Sequence, residues 1–237
     1  MNKGDKMKTT NKPMLAVVAL AALAFVAAVW SPFELTSAQN KTVQTKTGGS
    51  AIGKPIPAGT YNLDPLHSVI GFAIRHYEIN WVEGRFKDFT GAVNYNREDP
   101  TKSTVEFAAK IESIDTGVAP RDQHLRTADF FDAAKYPEMT FKSTSVERAG
   151  KNGFVLNGDL TIKGVTKRVS LPFTITNAIK DPQGNTRFGI EAQGKINRRD
   201  FNIIYGSQLP GGGLDIGNEV NISFFLEAVK LEPKAAE

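Results

Sequence analysis

From Thr60 onward, apolar residues recur at every second position in stretch after stretch of this 237-residue chain. "SVIGFAIR" sets Ile70, Phe72 and Ile74 on one face and Val69, Gly71 and Ala73 on the other. "TVEFAAKIE" sets Val105, Phe107, Ala109 and Ile111 opposite Glu106 and Lys110. "EVNISFFLEAV" sets Val220, Ile222, Phe224 and Leu226 opposite Asn221, Ser223 and Glu227. A period of two means strands with one dry and one wet face. Such patterns run near Gly59–Asp64, Ser68–His76, Val82–Phe89, Thr90–Tyr95, Thr104–Ser113, Met139–Glu147, Gly153–Ile162, Val165–Ala178, Arg187–Ile196 and Glu219–Leu231. Gly153–Ile162 and Val165–Ala178 form one hairpin, and the third and fourth runs also read as one bent strand; with each pair counted once, about eight strand units remain. "NREDP", "IKGVT", "DPQGN" and "LPGGG" supply the turns between them. Many antiparallel strands with tight turns predict a sandwich or a closed barrel, and closure removes exposed edges. A barrel of this size is either filled by its own side chains or holds one small ligand. The inward stripes are apolar and rich in phenylalanine, which suits both.

Charge and cysteine content remove several functions. The chain carries a net +4, but residues 1–58 hold seven lysines against two acids, so the body is close to neutral. A body without a basic field has nothing to hold nucleic-acid phosphates. The absence of cysteine excludes disulfides, thiolate metal sites and a cysteine nucleophile. His67, His76 and His124 form no HxH or HxxxH pair, so no metal site is predicted. Ser68 lies near His67 in sequence, yet no GxSxG elbow or glycine-rich oxyanion turn accompanies it. The three glycines Gly211–Gly213 lack the following Lys-Ser or Lys-Thr of a nucleotide loop.

Lys3, Lys6, Lys8 and Lys12 precede the apolar run Met14–Trp30. A basic start before an apolar run reads as a secretory signal, with Thr36 and Ala38 at the cleavage positions, or as an uncleaved anchor. Either places the body outside the cytoplasm, periplasmic or secreted, the anchor tethering it to the inner membrane. The expected organisation is a signal or anchor over residues 1–38, a flexible linker over 39–58, a barrel over 59–232 and a tail over 233–237.

Five blocks carry more than pattern: "YNLDPLHSVIGFAIRH", "GRFKDFTG", "SIDTGVAPRDQHLRTADFFDAAKYPEMTFKSTS", "GDLTIKGVTKRVSLPF" and "INRRDF". In this order, from about Tyr61 to Lys230, they resemble the YceI-like family of lipid-binding barrels. The resemblance implies an all-β, antiparallel, eight-stranded lipocalin-like barrel with a short helix at its mouth. It implies no catalysis and no cofactor. The expected partner is an apolar lipid: a polyisoprenoid such as an isoprenoid quinone or prenyl lipid, or a fatty-acid derivative. A membrane surface is a further expected partner, and a homodimer is left open. "RDQHLRTADFF" reads as the helix, with Asp122 as its N-terminal cap. Two departures from relatives stand out: Asn202, where many have glycine, and Glu78, where many have a small residue.

The apolar wall expected around such a guest begins with Ile70, Phe72, Ile74 and Phe86. Phe107, Ile111, Phe141 and Leu160 continue it, with Phe173 and Phe224 from the later strands and Phe130 and Phe131 from the helical segment. His67, Arg121, His124 and Arg198 are the expected polar mouth. Two other readings remain open: an enzyme using His67, Ser68 and His124 on a lipid-like substrate, and a solid-cored stress-protective or interaction protein.

Overall fold

The strands alternate inward and outward as the period-two pattern requires, and they close on themselves. The structure, a computed structural model, describes residues 53–150 and 153–230. The elements run β1 (Gly59–Leu63), β2 (Val69–His76), β3 (Asn80–Phe86), β4 (Phe89–Tyr95), β5 (Thr104–Lys110), β6 (Ile114–Asp115) and α1 (Ala119–Leu125). They continue as β7 (Glu138–Ala149), β8 (Gly153–Ile162), β9 (Val165–Ile175), β10 (Ile179–Lys180), β11 (Thr186–Asn197) and β12 (Ile216–Lys230). The expected signal or anchor, its cleavage site, most of the linker and the tail lie outside the described residues.

Eight strands form the closed antiparallel ring β11–β9–β8–β7–β5–β4–β1–β12, sealed by pairing of β12 with β11 from Glu219↔Asn197 to Lys230↔Thr186. The long strand β12 is forked on its other edge. Its end pairs with β1 at Leu63↔Ala228, and its start pairs with β2 from Phe225↔Val69 to Val220↔Ile74. A flap of β2, β3 and β6 therefore extends the wall at one end. The third and fourth sequence runs are separate strands: β3 pairs with β2, whereas β4 pairs with β1 and β5.

The segment from α1 to Pro137 spans that end. Arg126 donates to the Ile114 carbonyl on β6, and Lys163 in the β8–β9 turn donates to the Ala128 carbonyl. The Ile111 N–H closes the excursion on the Pro137 carbonyl. The helix starts earlier than the sequence suggested. Val118 is its cap residue, without a side-chain bond, and Pro120 sits in the first turn, where its fixed φ suits a helix start. Asp122 is not the cap. Its carboxylate is buried and accepts from the Thr116 N–H and hydroxyl, tying the helix to the end of β6.

Two tight turns bear on the departures noted above. Asn202 closes the 3₁₀ turn Arg198–Phe201 at φ 56°, a left-handed conformation that asparagine tolerates. Tyr77 and Glu78 both take positive φ in the three-residue β2–β3 connection, where the Ile79 N–H closes a tight turn on the His76 carbonyl. Glu78 accepts from the Leu214 N–H at 3.0 Å, which pins the hairpin to the glycine-rich loop instead of placing the carboxylate in the barrel. The last linker residues also pack down: Lys54 and Ala178 exchange backbone hydrogen bonds, and Ile56 is buried.

Candidate functional site

Large inward side chains fill a barrel unless the wall opposite them is small or too distant. Both conditions shape this lumen. Gly84 faces Phe72, whose ring stands where a β-carbon on Gly84 would be, 2.4 Å from Cζ. Gly158 does the same for Phe141, at 2.3 Å. These rings lie against the wall, and space remains between the walls. The result is an apolar cavity of about 300 Å³ at the helical end and a smaller apolar one of about 50 Å³ toward the other.

The larger cavity brings together most of the expected site. Ile70, Phe72, Ile74 and Phe86 come from the flap, Phe130 and Phe131 from the capping segment, and Leu160 and Phe224 from β8 and β12. Phe72, Ile74 and Phe131 are only partly buried although they point inward, because they face open space and not neighbours. Phe107, Phe141 and Phe173 line the smaller cavity instead. Ile111 lines neither and is packed away at 1% exposure below the capping segment.

Polar groups gather where the larger cavity meets solvent. His124 and Tyr205 line it and are also exposed, so it opens beside them. His124 Nε2 lies 2.8 Å from Asp129 Oδ2, and its ring stands edge-on to Phe130 and Tyr205. Arg121 donates from Nε to the Thr116 hydroxyl and from Nη2 to the Thr116 carbonyl, leaving three of its N–H groups uncommitted among the described residues. Arg198 differs. It is 4% exposed and donates to four carbonyls: Gly217, Ile203, Tyr205 and Ile216. Burial, with the like charge of Arg199, lowers its pKa, against the pull of Asp215. Arg198 therefore holds the mouth loop in shape and has little left for a guest.

His67 is not at this mouth, a correction to the expected site. Its side chain is 61% exposed and hydrogen-bonded to Asp64, which follows β1, and it borders a separate outer groove. His67 and His124 thus do not meet, and the Ser68 hydroxyl accepts from the Glu227 N–H. The three residues of the enzymatic reading share no site.

Asp64, His67 and Glu227 do place three potential metal ligands within 4.8 Å of one another. A cation already stands among the acids. Arg187 bonds Asp64 and Asp181 at 2.7 Å each and also Glu227. Burial disfavours the Asp64 carboxylate, but hydrogen bonds from Arg187, His67 and the Leu66 N–H outweigh it and hold its pKa at about 2. Asp181 is likewise held at about 2, chiefly by Arg187 and then by Asn185. Both values lie below the usual carboxylate range. The stabilisation is therefore complete above about pH 4 and is lost as pH falls toward 2. Arg187→Met is expected to melt below the parent at pH 7, with the gap closing between pH 4 and pH 2 in a series of thermal melts.

Sequence reasoning missed His76, Thr116, Ile203, Tyr205 and Val220 as cavity residues. Val220 carried a signal, since it shares the inward stripe of Phe224. Ile203 and Tyr205 lie in an irregular loop, where no period marks a facing side.

The sequence matches the YceI-like domain family over residues 61–228. It is 44% identical over 148 residues to a UPF0312 protein of Photorhabdus laumondii, covering 62% of this chain and 77% of that one. It is 42% identical over 159 residues to protein YceI of Escherichia coli, covering 66% and 80%. Among solved structures, Burkholderia cenocepacia BcnA superposes with a TM-score of 0.59 at 25% identity, over 70% of this chain and 98% of that one. A polyisoprenoid binding domain from Saccharophagus degradans shares the fold at 16% identity and a TM-score of 0.55, over 73% and 98%.

Proposed function

Because this chain belongs to the family of YceI-like domain proteins, we propose that it binds a long apolar lipid in its barrel and carries or sequesters it without chemical change. The guest is an isoprenoid, such as a quinone or prenyl lipid, or a fatty-acid derivative. One observation carries this reading: an apolar cavity of about 300 Å³ inside the barrel, open at an end that bears polar groups. Ligand pockets in proteins begin at about this volume, with apolar walls and a few polar groups fixing orientation. The polyisoprenoid binding domain of Saccharophagus degradans, on the same fold, supports the choice of guest. Arg121 and His124 are placed to meet a polar head group. The scattered positions of His67, Ser68 and His124 weigh against an enzyme.

Energetics point to a membrane as the source. Exposing a chain of about 40 carbons to water costs about 30 kcal/mol at roughly 0.8 kcal/mol per methylene. That exceeds the roughly 20 kcal/mol at which noncovalent binding levels off. Water is therefore not the working reference state. Such a lipid rests in a bilayer with its tail already dry, and the cavity only has to match that environment for the length of tail it seats. Loading and release then run near balance. The lysines and apolar run of the first 58 residues fit an exported chain, secreted after cleavage or held beside the membrane as an anchored one.

The test is extraction. Protein is mixed with vesicles containing an isoprenoid quinone, the vesicles are floated away, and quinone is measured in the protein fraction by absorbance. Quinone approaching one per barrel is expected. Transfer no greater than in a protein-free control would contradict the proposal.

A further inference from the structure

Three rings stand between the two cavities. Phe107 on β5 and Phe141 on β7 are register partners and stack at 5.6 Å. Phe107 also meets Phe224 on β12, again at 5.6 Å. Strands β5 and β12 are not neighbours, since β4 and β1 lie between them in the ring. The contact between Phe107 and Phe224 therefore crosses the lumen. Phe224 faces both cavities, whereas Phe107 and Phe141 face only the smaller one. Phe141 is held back on Gly158, which keeps it in the stack.

We propose that Phe224, backed by Phe107 and Phe141, is a septum that sets how long a guest the barrel accepts. The inference rests on the lipid-holding reading above and adds a length limit to it. At roughly 25 Å³ of cavity per carbon, the scale on which a cavity of about 150 Å³ takes one benzene, 300 Å³ seats on the order of 12 carbons. The tail of a longer guest meets the Phe224 ring and not open space. Beyond the septum lies room for only a few more atoms, lined by residues such as Phe154 and Phe173, and it becomes usable once the ring is removed. Removing the six ring carbons and joining the chambers adds room for about eight atoms, between one and two isoprene units.

The experiment measures affinity for isoprenols of increasing length, from prenol through geraniol, farnesol and geranylgeraniol to geranylfarnesol, on the parent and on Phe224→Ala. Parent affinity is expected to rise with length and stop rising at about 12 carbons. In Phe224→Ala that plateau is expected about eight carbons later. Phe224→Leu, which keeps a large apolar side chain, carries the test with a shift of about five carbons if the alanine variant fails to fold. On the parent itself, farnesol and geranylgeraniol with a photoreactive group at the tail end are expected to label Leu160 or Phe224 and not Phe173. A parent plateau unchanged in either folded variant, or labelling of Phe173 in the parent, overturns the septum and leaves lipid binding standing. Failure of the parent to bind an isoprenol or fatty acid of any length overturns the lipid-holding reading and the septum together.

Discussion

Arg198→Ala is expected to destabilise the barrel by on the order of 4 kcal/mol or more, a loss of about 10 °C in melting temperature for a domain of this size. The reason lies in the partners left behind. The guanidinium serves the carbonyls of Ile203 and Tyr205 on one side of the mouth loop, and of Ile216 and Gly217 at the start of β12 on the other. Each buried acceptor that loses its donor costs about 1–3 kcal/mol, toward the low end where cavity water reaches it. Lysine is a poor substitute. Its three donors leave one point and lack the planar fork that spans both sides. Arg198→Lys is therefore expected to recover less than half of the loss, as read by thermal melts. Ile203, Tyr205 and Ile216 are cavity wall, so lipid uptake is expected to fall with the loop.

Val220→Trp is expected to reduce quinone extraction from vesicles about a hundredfold while the melting temperature moves by only a few degrees. Val220 points into the larger cavity from β12 and is only partly buried, because open space lies before it. An indole there occupies room that already exists, so it does not strain a packed core. It displaces guest. Excluding about four methylenes at roughly 0.8 kcal/mol each removes about 3 kcal/mol of binding. A solid barrel gives the opposite pattern: overpacking lowers the melting temperature, and no uptake exists to lose.

The strands were legible because alternation is local. β12 reads off its own residues, with Val220, Ile222, Phe224 and Leu226 on the inner face. The two-residue strands β6 and β10 show no period and went unread. The helix start is hidden in the sequence because Asp122 has the chemistry of a cap, while Thr116 six residues earlier claims its carboxylate. His67 is a polar loop residue like those of the mouth, but its loop joins β1 to β2 beside the Arg187 cluster. The role of Arg198 is not legible locally, since its four acceptors come from a loop and a strand that return from Ile203 onward. Hollowness itself was not legible. It depends on which inward positions are glycine, as at Gly84 and Gly158, and on how far apart facing walls stand.

The most direct measurement is the mass of what the barrel carries. Protein purified without detergent is extracted into organic solvent, and the extract is analysed by mass spectrometry beside that of Val220→Trp. One dominant hydrophobic species is expected from the parent, close to one per barrel and depleted in the variant. Parent preparations that repeatedly release nothing, or release the same mixture in the same amount as the variant, would contradict a lipid-holding lumen.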